Sequence, residues 1–342
     1  MKLGDWFGLI LLGVALYILW EIRYLLLLVF AAVLVAVALD GAVHFLRQWR
    51  IPQGVAIGLT LLTFLAGLTL LVGLLVPPFS KELEELAKLL PKGLQSLAQW
   101  SEDLQMRLLG EILVPLQSNG DLLRQLQAFL NPLLRRGISF FFDTLGGVLS
   151  FIFILVLAVM FLADPATYRQ GFIRLFPAFY RNRVHTILRR CEVNLRAWML
   201  GTLTAMAVVG ILSFVGLSLL GVRLYFAHAL IAGLFNLIPN IGPTLSVIPP
   251  TVIAALDAPW KAVAVVILYF LIQQTDAYLV TPYVMSQQLQ LPPALTLMAQ
   301  VFFTTFLGLP GLILALPLMV VCRVWIEEAL VKDVLDPWRQ RG

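Results

Sequence analysis

Eight stretches of this chain are apolar for long enough to cross or enter a lipid bilayer: residues 6–20, 24–39, 51–76, 138–163, 197–220, 225–256, 262–281 and 294–321. A helix rises about 1.5 Å per residue, so about 20 apolar residues traverse the hydrocarbon core. Inside that solvent every backbone N–H and C=O must find a partner, which a helix supplies within its own segment. The runs therefore describe an all-α integral membrane protein with about eight membrane segments and the lipid bilayer as its first partner. Composition agrees: 60 % of the residues are hydrophobic and 13 % charged, where soluble chains hold roughly half and a quarter. The first run follows Lys2, lacks a small-residue cleavage site and passes through Glu21-Ile22-Arg23 into the second. It reads as a transmembrane helix rather than a secretion signal. Trp20, Tyr24, Trp49, Trp198, Tyr225, Trp260 and Trp325 fall near the expected ends, at the headgroup level that amphipathic rings favour.

Charge between the runs orients them. Residues 164–196 carry seven arginines against Asp164 and Glu192, whereas residues 78–136 balance seven basic against seven acidic side chains. The positive-inside rule makes the first segment cytoplasmic and the second external, with both termini inside a bacterial inner membrane. The expected organisation is N-terminal transmembrane helices over 1–77, an external amphipathic segment over 78–137 and a span over 138–163. A basic cytoplasmic segment over 164–196, a core over 197–323 and a cytoplasmic tail over 324–342 complete it. In the external segment Leu83, Leu86, Leu90, Leu94 and Leu97 recur at spacings of three and four. That is the stripe of an amphipathic helix, suited to covering the spans or to joining subunits of a homo-oligomer.

Two apolar runs are interrupted. Residues 225–256 contain Pro239-Asn240-Ile241-Gly242-Pro243, and residues 294–321 contain Gly308-Leu309-Pro310-Gly311. Each piece flanking the first break is about 21 Å long as a helix, short of the roughly 30 Å core. Each broken run also follows an uninterrupted one, so a unit of span plus broken segment occurs twice. If both breaks are re-entrant hairpins, the two units have opposite topology. Such inverted repeats place binding sites near the midplane, where broken helix ends offer free backbone groups. The alternative is a Pro/Gly kink in each of two tilted spans. Loop charge does not separate the two readings.

Polar residues gather around the breaks. Asn236 and Asn240 sit at the first; Gln300, Thr304 and Thr305 precede the second. Gln273 and Asp276 are three apart near the end of the seventh run and share a helix face. An acidic side chain at membrane depth is costly and is a functional candidate by default, although Asp276 can also sit at an interface if its span ends early. His228, alone on an apolar helix, reads as a satisfied packing residue. Gly54 and Gly58 form a GxxxG, a common sign of close helix packing.

Chemistry-bearing motifs are missing. There is no HExxH, no GxSxG and no GxxxxGK[ST], and His44, His185 and His228 do not stand at ligand spacing. Cys191 and Cys322 form no CxxC pair. The expectation is a non-enzyme without cofactor or metal. The formal charge of +5 reports loop orientation and does not point to nucleic acid.

The stretch Leu234-Phe235-Asn236-Leu237-Ile238-Pro239-Asn240-Ile241-Gly242-Pro243 resembles the N-x-I-P-x-[IL]-G-P signature of the autoinducer-2 exporter family of permeases. The resemblance extends through Gln273-Gln274-Thr275-Asp276, Thr281-Pro282-Tyr283-Val284-Met285 and the Gly308…Gly311…Pro317 pattern, and covers essentially the whole chain. It implies a homo-oligomeric exporter of autoinducer-2, a small hydroxylated furanone-type solute; other members are regarded as sodium/proton antiporters. The chain departs from the family where Asp276-Ala277-Tyr278 replaces the usual Glu-Asn/Gly-Asn, and where Leu200-Gly201-Thr202 replaces an Arg-Gly-Gln. The reading expected from all of this is alternating access for a small polar solute around the two breaks. The candidate path is Asn236, Pro239, Asn240, Gly242, Pro243, Gln273, Asp276, Gln300, Thr304, Gly308, Pro310 and Gly311. A cation/proton antiporter centred on Asp276 and a non-transporting membrane scaffold are the alternatives.

Overall fold

The computed structural model describes residues 13–14, 17–74, 77, 145–280, 282 and 292–336. The external segment expected over 78–137 lies outside them, as do parts of the first and fourth runs. Among the described residues all regular structure is helical. Five helices are long and apolar enough to cross a membrane, and a sixth is added if a bent pair counts as one span. Two shorter apolar helices occupy the run that was expected to be broken.

The chain divides into two compact units. The first comprises residues 1–63, 148–199 and 288–342. It contains α1 (Arg23–Gln48), the beginning of α2 (Gln53–Leu74), most of α3 (Leu145–Ala163) and α4 (Pro165–Arg174). The N-terminal half of α5 (Arg181–Leu219) and all of α10 (Pro293–Trp325) also belong to it. Helices α1 and α10 touch. The chain turns by 94° between α3 and α4. Sequence explains the corner: Pro165 has no N–H to continue α3, while the Asp164 carboxylate accepts from Thr167 N–H at 3.2 Å and caps the new helix. The exposed end of α3 is closed from outside, because the Gln53 amide donates to the carbonyls of Leu162 (3.3 Å) and Ala163 (3.0 Å). Gly54 and Gly58 have nothing within 4 Å of where a Cβ would stand, so the close packing expected of that GxxxG is not found among the described residues.

Helices α5 and α10 outrun the hydrocarbon. α5 has 39 residues, and α10 has 33 followed by the 10 of its π-helical continuation Ile326–Leu335. At 1.5 Å per residue α5 is about 60 Å long, twice the core thickness, while α10 is divided at Gly308 and carries its charged end past the apolar run. Their charged ends pair with each other. Val184, Ile187, Cys191, Leu195 and Trp198 recur at spacings of three and four along α5 and are all buried. Ile187 and Cys191 share a core with Val324, Phe176 stacks on Trp325, and the Tyr180 hydroxyl donates to Asp333 at 2.7 Å. The basic segment and the C-terminal tail, separate in the sequence, are thus one charged two-helix stalk.

The second unit, residues 64–147 and 200–287, holds the rest of α5, then α6 (Tyr225–Phe235), α7 (Ile241–Ser246), α8 (Ile248–Asp257) and α9 (Pro259–Thr275). Val209 and Leu217 of α5, Ala232 of α6, Ala254 of α8, and Val265, Tyr269 and Ile272 of α9 make one core. Helix α6 contacts α8. Along an uninterrupted helix their nearest residues, Phe235 and Ile248, would be about 20 Å apart. The broken run therefore does not continue as one straight helix.

Candidate functional site

The first break is built from what proline and glycine do to a helix. Pro239 cannot donate to the carbonyl of Phe235, so α6 stops and that oxygen accepts from Ile238 N–H at 3.0 Å instead. Pro239 O then accepts from Ile241 N–H at 2.8 Å, across Asn240 with φ 66° and ψ −51°. This is a γ-turn of the strained, positive-φ kind, which seldom holds a residue with a side chain. Gly242 N–H donates to Ile238 O at 2.8 Å, bringing Gly242 over the end of α6. A Cβ on Gly242 would stand 2.5 Å from the carbonyl carbon of Phe235 and nearer still to its oxygen. Only hydrogen fits there. Asn240→Gly is expected to keep or raise the melting temperature measured by thermal unfolding in detergent, because strain of about 1–3 kcal/mol is relieved. Asn240→Val is expected to lower it.

The second break repeats this device in the first unit. Gly308 interrupts α10 with φ 67° and ψ −152°, a region open essentially to glycine alone. Gly311 returns against the carbonyl of Phe303, where a Cβ would stand 3.0 Å from the carbonyl carbon and 2.5 Å from the Leu307 Cβ. In a straight helix residues 303 and 311 are about 12 Å apart. Both breaks thus turn the chain sharply enough to lay a glycine on the carbonyl of a phenylalanine seven or eight residues earlier.

Polar side chains of the second unit meet beside the first break. Asn236, at the C-terminal end of α6 and 7 % exposed, donates its amide to Asp276 Oδ2 at 3.4 Å. Asp276 begins the π-helical turn Asp276–Val280 that ends α9. Its Oδ1 is buried and has no hydrogen-bond partner among the described residues. A single long hydrogen bond leaves the carboxylate with acceptor capacity to spare. Gln273, one turn earlier, is half-buried, as is Pro239; Gly242 and Pro243 are buried and Asn240 is exposed. In the first unit Gln300 is buried and its carbonyl accepts from Thr304 Oγ1 at 2.5 Å, while Gly308 and Pro310 are exposed and Gly311 is buried.

His228 departs from its expected part. It is 1 % exposed on α6, two turns before Asn236, yet neither ring nitrogen has a hydrogen-bond partner among the described residues. Ser213 and Tyr269 are also buried in this unit. Sequence reading passed over both, since a lone serine and tyrosine in apolar runs carry no periodic or spacing signal.

The AI-2E family transporter model matches residues 9–330 of the chain. AI-2 transport protein TqsA of Escherichia coli (strain K12) is 25 % identical over 333 residues, covering 93 % of this chain and 91 % of TqsA. YhhT of the same organism is 25 % identical over 300 residues, 86 % of this chain and 82 % of that protein. YueF of Bacillus subtilis (strain 168) is 24 % identical over 290 residues, 82 % of this chain and 78 % of that protein.

Proposed function

The chain belongs to the AI-2E transporter family and is a multi-pass membrane permease; from that premise we propose that it exports a small polar solute such as autoinducer-2 by alternating access. The observation that carries the reading is the broken segment at Asn236–Pro243 with the half-satisfied Asp276 carboxylate beside it. We read both broken segments as re-entrant hairpins. A hydroxylated solute suits such a place: its O–H groups donate to Asp276 Oδ1, and its ring oxygens accept from the Asn236 amide. Gln273 and the backbone of Asn240–Pro243 complete the path in this unit. Gln300, Thr304, Gly308, Pro310 and Gly311 form the corresponding stretch of the other. The name of TqsA supports autoinducer-2 as the first cargo to try. Loop charge supports both termini in the cytoplasm, and the resemblance to the exporter family supports an assembly of identical chains.

The test is cargo efflux from proteoliposomes. Asp276→Asn and Asn236→Ala are each expected to cut initial efflux about tenfold or more, the equivalent of one to two charge-assisted hydrogen bonds. Asp276→Glu is expected to retain part of it. If Asp276→Asn spares cargo efflux but abolishes its response to a sodium or proton gradient, the carboxylate serves ion coupling instead. Undiminished flux in both variants, with intact gradients, overturns the assignment of this site.

A further inference from the structure

The charged stalk of the first unit borders a half-open cavity of about 630 Å³ between α5 and α10. Its wall carries Arg189, Arg190, Arg323 and Lys332 against Glu327 and Glu328, a local excess of two positive charges. Glu328 engages part of that charge, and the net excess is what stays after both carboxylates are counted. Its carboxylate, 2 % exposed, is met by Arg190, by Lys332 at 2.5 Å and by Arg183 at 3.0 Å. Arg189 has no acidic partner among the described residues. Guanidinium groups present donors in a fork that matches phosphate oxygens, so a wall of this net charge selects an anion of that shape.

The level of the cavity narrows its occupant. Val193 and Asn194 on one wall stand just before the apolar run that begins at Ala197; Val320 and Val324 on the other bracket the end of the run 294–321. The cavity therefore straddles the boundary between the apolar and charged lengths of both helices. Trp198 and Trp325 lie at the same height in the sequence, as headgroup-level residues do. Basic pockets between helices at that level suit anionic lipid headgroups, each nearby cation contributing to the attraction.

We infer that this cavity is a phosphate-binding site, seated by Arg189, Arg190, Arg323 and Lys332, that takes the headgroup of an anionic phospholipid with the valines against its glycerol and first methylenes. The site shares no residue with the broken segment at Asn236–Pro243 or with Asp276, and the inference stands whatever solute the permease carries.

Full-length protein, delipidated in a neutral detergent, is titrated with phosphatidylglycerol, with phosphatidylcholine and with inorganic phosphate, and bound lipid is counted by native mass spectrometry. Phosphatidylglycerol is expected to bind at least tenfold more tightly than phosphatidylcholine. The double variant Arg189→Gln/Arg323→Gln is expected to lose that preference, and Arg189→Lys/Arg323→Lys to keep part of it. The melting temperature without lipid separates lost binding from lost folding. Where the double glutamine variant fails to fold, Arg189→Gln alone is measured and is expected to weaken phosphatidylglycerol several-fold. Displacement of phosphatidylglycerol by millimolar inorganic phosphate shows that the site reads phosphate itself and assigns it to a soluble anion. Equal binding of the two lipids with no phosphate binding, or a preference unchanged in the glutamine variants, overturns the inference.

Discussion

Gly242→Ala is expected to abolish cargo efflux and to lower the melting temperature by more than any other single methyl addition in the second unit. The new Cβ would overlap the carbonyl of Phe235, and neither partner is a flexible side chain that could swing aside. Pro239 and Pro243 stiffen both sides of the turn, and Asn240 already occupies a strained conformation. Overpacking typically costs about 1–3 kcal/mol, and a backbone-on-backbone clash belongs at or beyond the upper end. Gly311→Ala is expected to act alike through Phe303, and Gly308→Ala through its positive φ. Gly67→Ala is the matched control: a Cβ there meets nothing within 4 Å, so helix propensity predicts a gain of up to about 1 kcal/mol. Thermal unfolding in detergent and efflux in proteoliposomes read both consequences. If Gly242→Ala melts and transports like Gly67→Ala, the turn at Asn236–Pro243 is not part of the working fold.

The position of these turns was legible in the sequence because proline and glycine act locally. A missing N–H at Pro239 ends α6 wherever the rest of the protein lies, and the pieces of run 225–256 were too short to span alone. What the pattern left open was the sense of each break, hairpin or kink. That depends on contacts such as α6 with α8, which no local rule supplies. Asn236 and Asp276 are 40 residues apart; each was a candidate alone, but their hydrogen bond is a product of tertiary folding. The stalk is a different lesson. The stripe Val184, Ile187, Cys191 and Leu195 has helical period inside the segment whose arginines mark orientation, and Trp198 continues it into the next run. The tail offers Glu327, Glu328 and Asp333 as complementary charge. Both signals were present. Attention to loop charge as an orientation marker hid the amphipathic helix that bears it.

The stalk makes the second large prediction, because Glu328 is a buried carboxylate whose partners are not equivalent to it. Its side chain is 2 % exposed, while Arg183, Arg190 and Lys332 are 31 %, 51 % and 38 % exposed. Removing cations strands a charge in a dry place; removing the carboxylate merely returns cations to water. Arg183→Gln/Arg190→Gln is therefore expected to destabilise the protein by about 3 kcal/mol, the lower end for a broken buried pair since the partners are part-exposed. Glu328→Leu together with Arg190→Leu, which exchanges charge for apolar contact beside Val324, is expected to lie within about 1 kcal/mol of the parent. The pH dependence follows from the same contacts. Burial pushes the Glu328 carboxyl up, but Lys332, Arg190 and Arg183 outweigh it and hold the group below its ordinary value of 4.5. The Arg183 guanidinium holds Asp333 below 3.8. Both sit on the charged length of the C-terminal helix, past the apolar run. A depressed carboxylate contributes stability that is complete above its unfolded pKa and is lost as pH falls through the folded one. The contribution of Glu328 and Asp333 to the parent's stability is thus expected to be constant from pH 8 to about pH 5 and to be lost below about pH 4, read by thermal unfolding across that range. Parent stability that instead falls between pH 8 and pH 6 would place the coupling on a group other than these carboxylates and would take Glu328 out of the centre of the stalk.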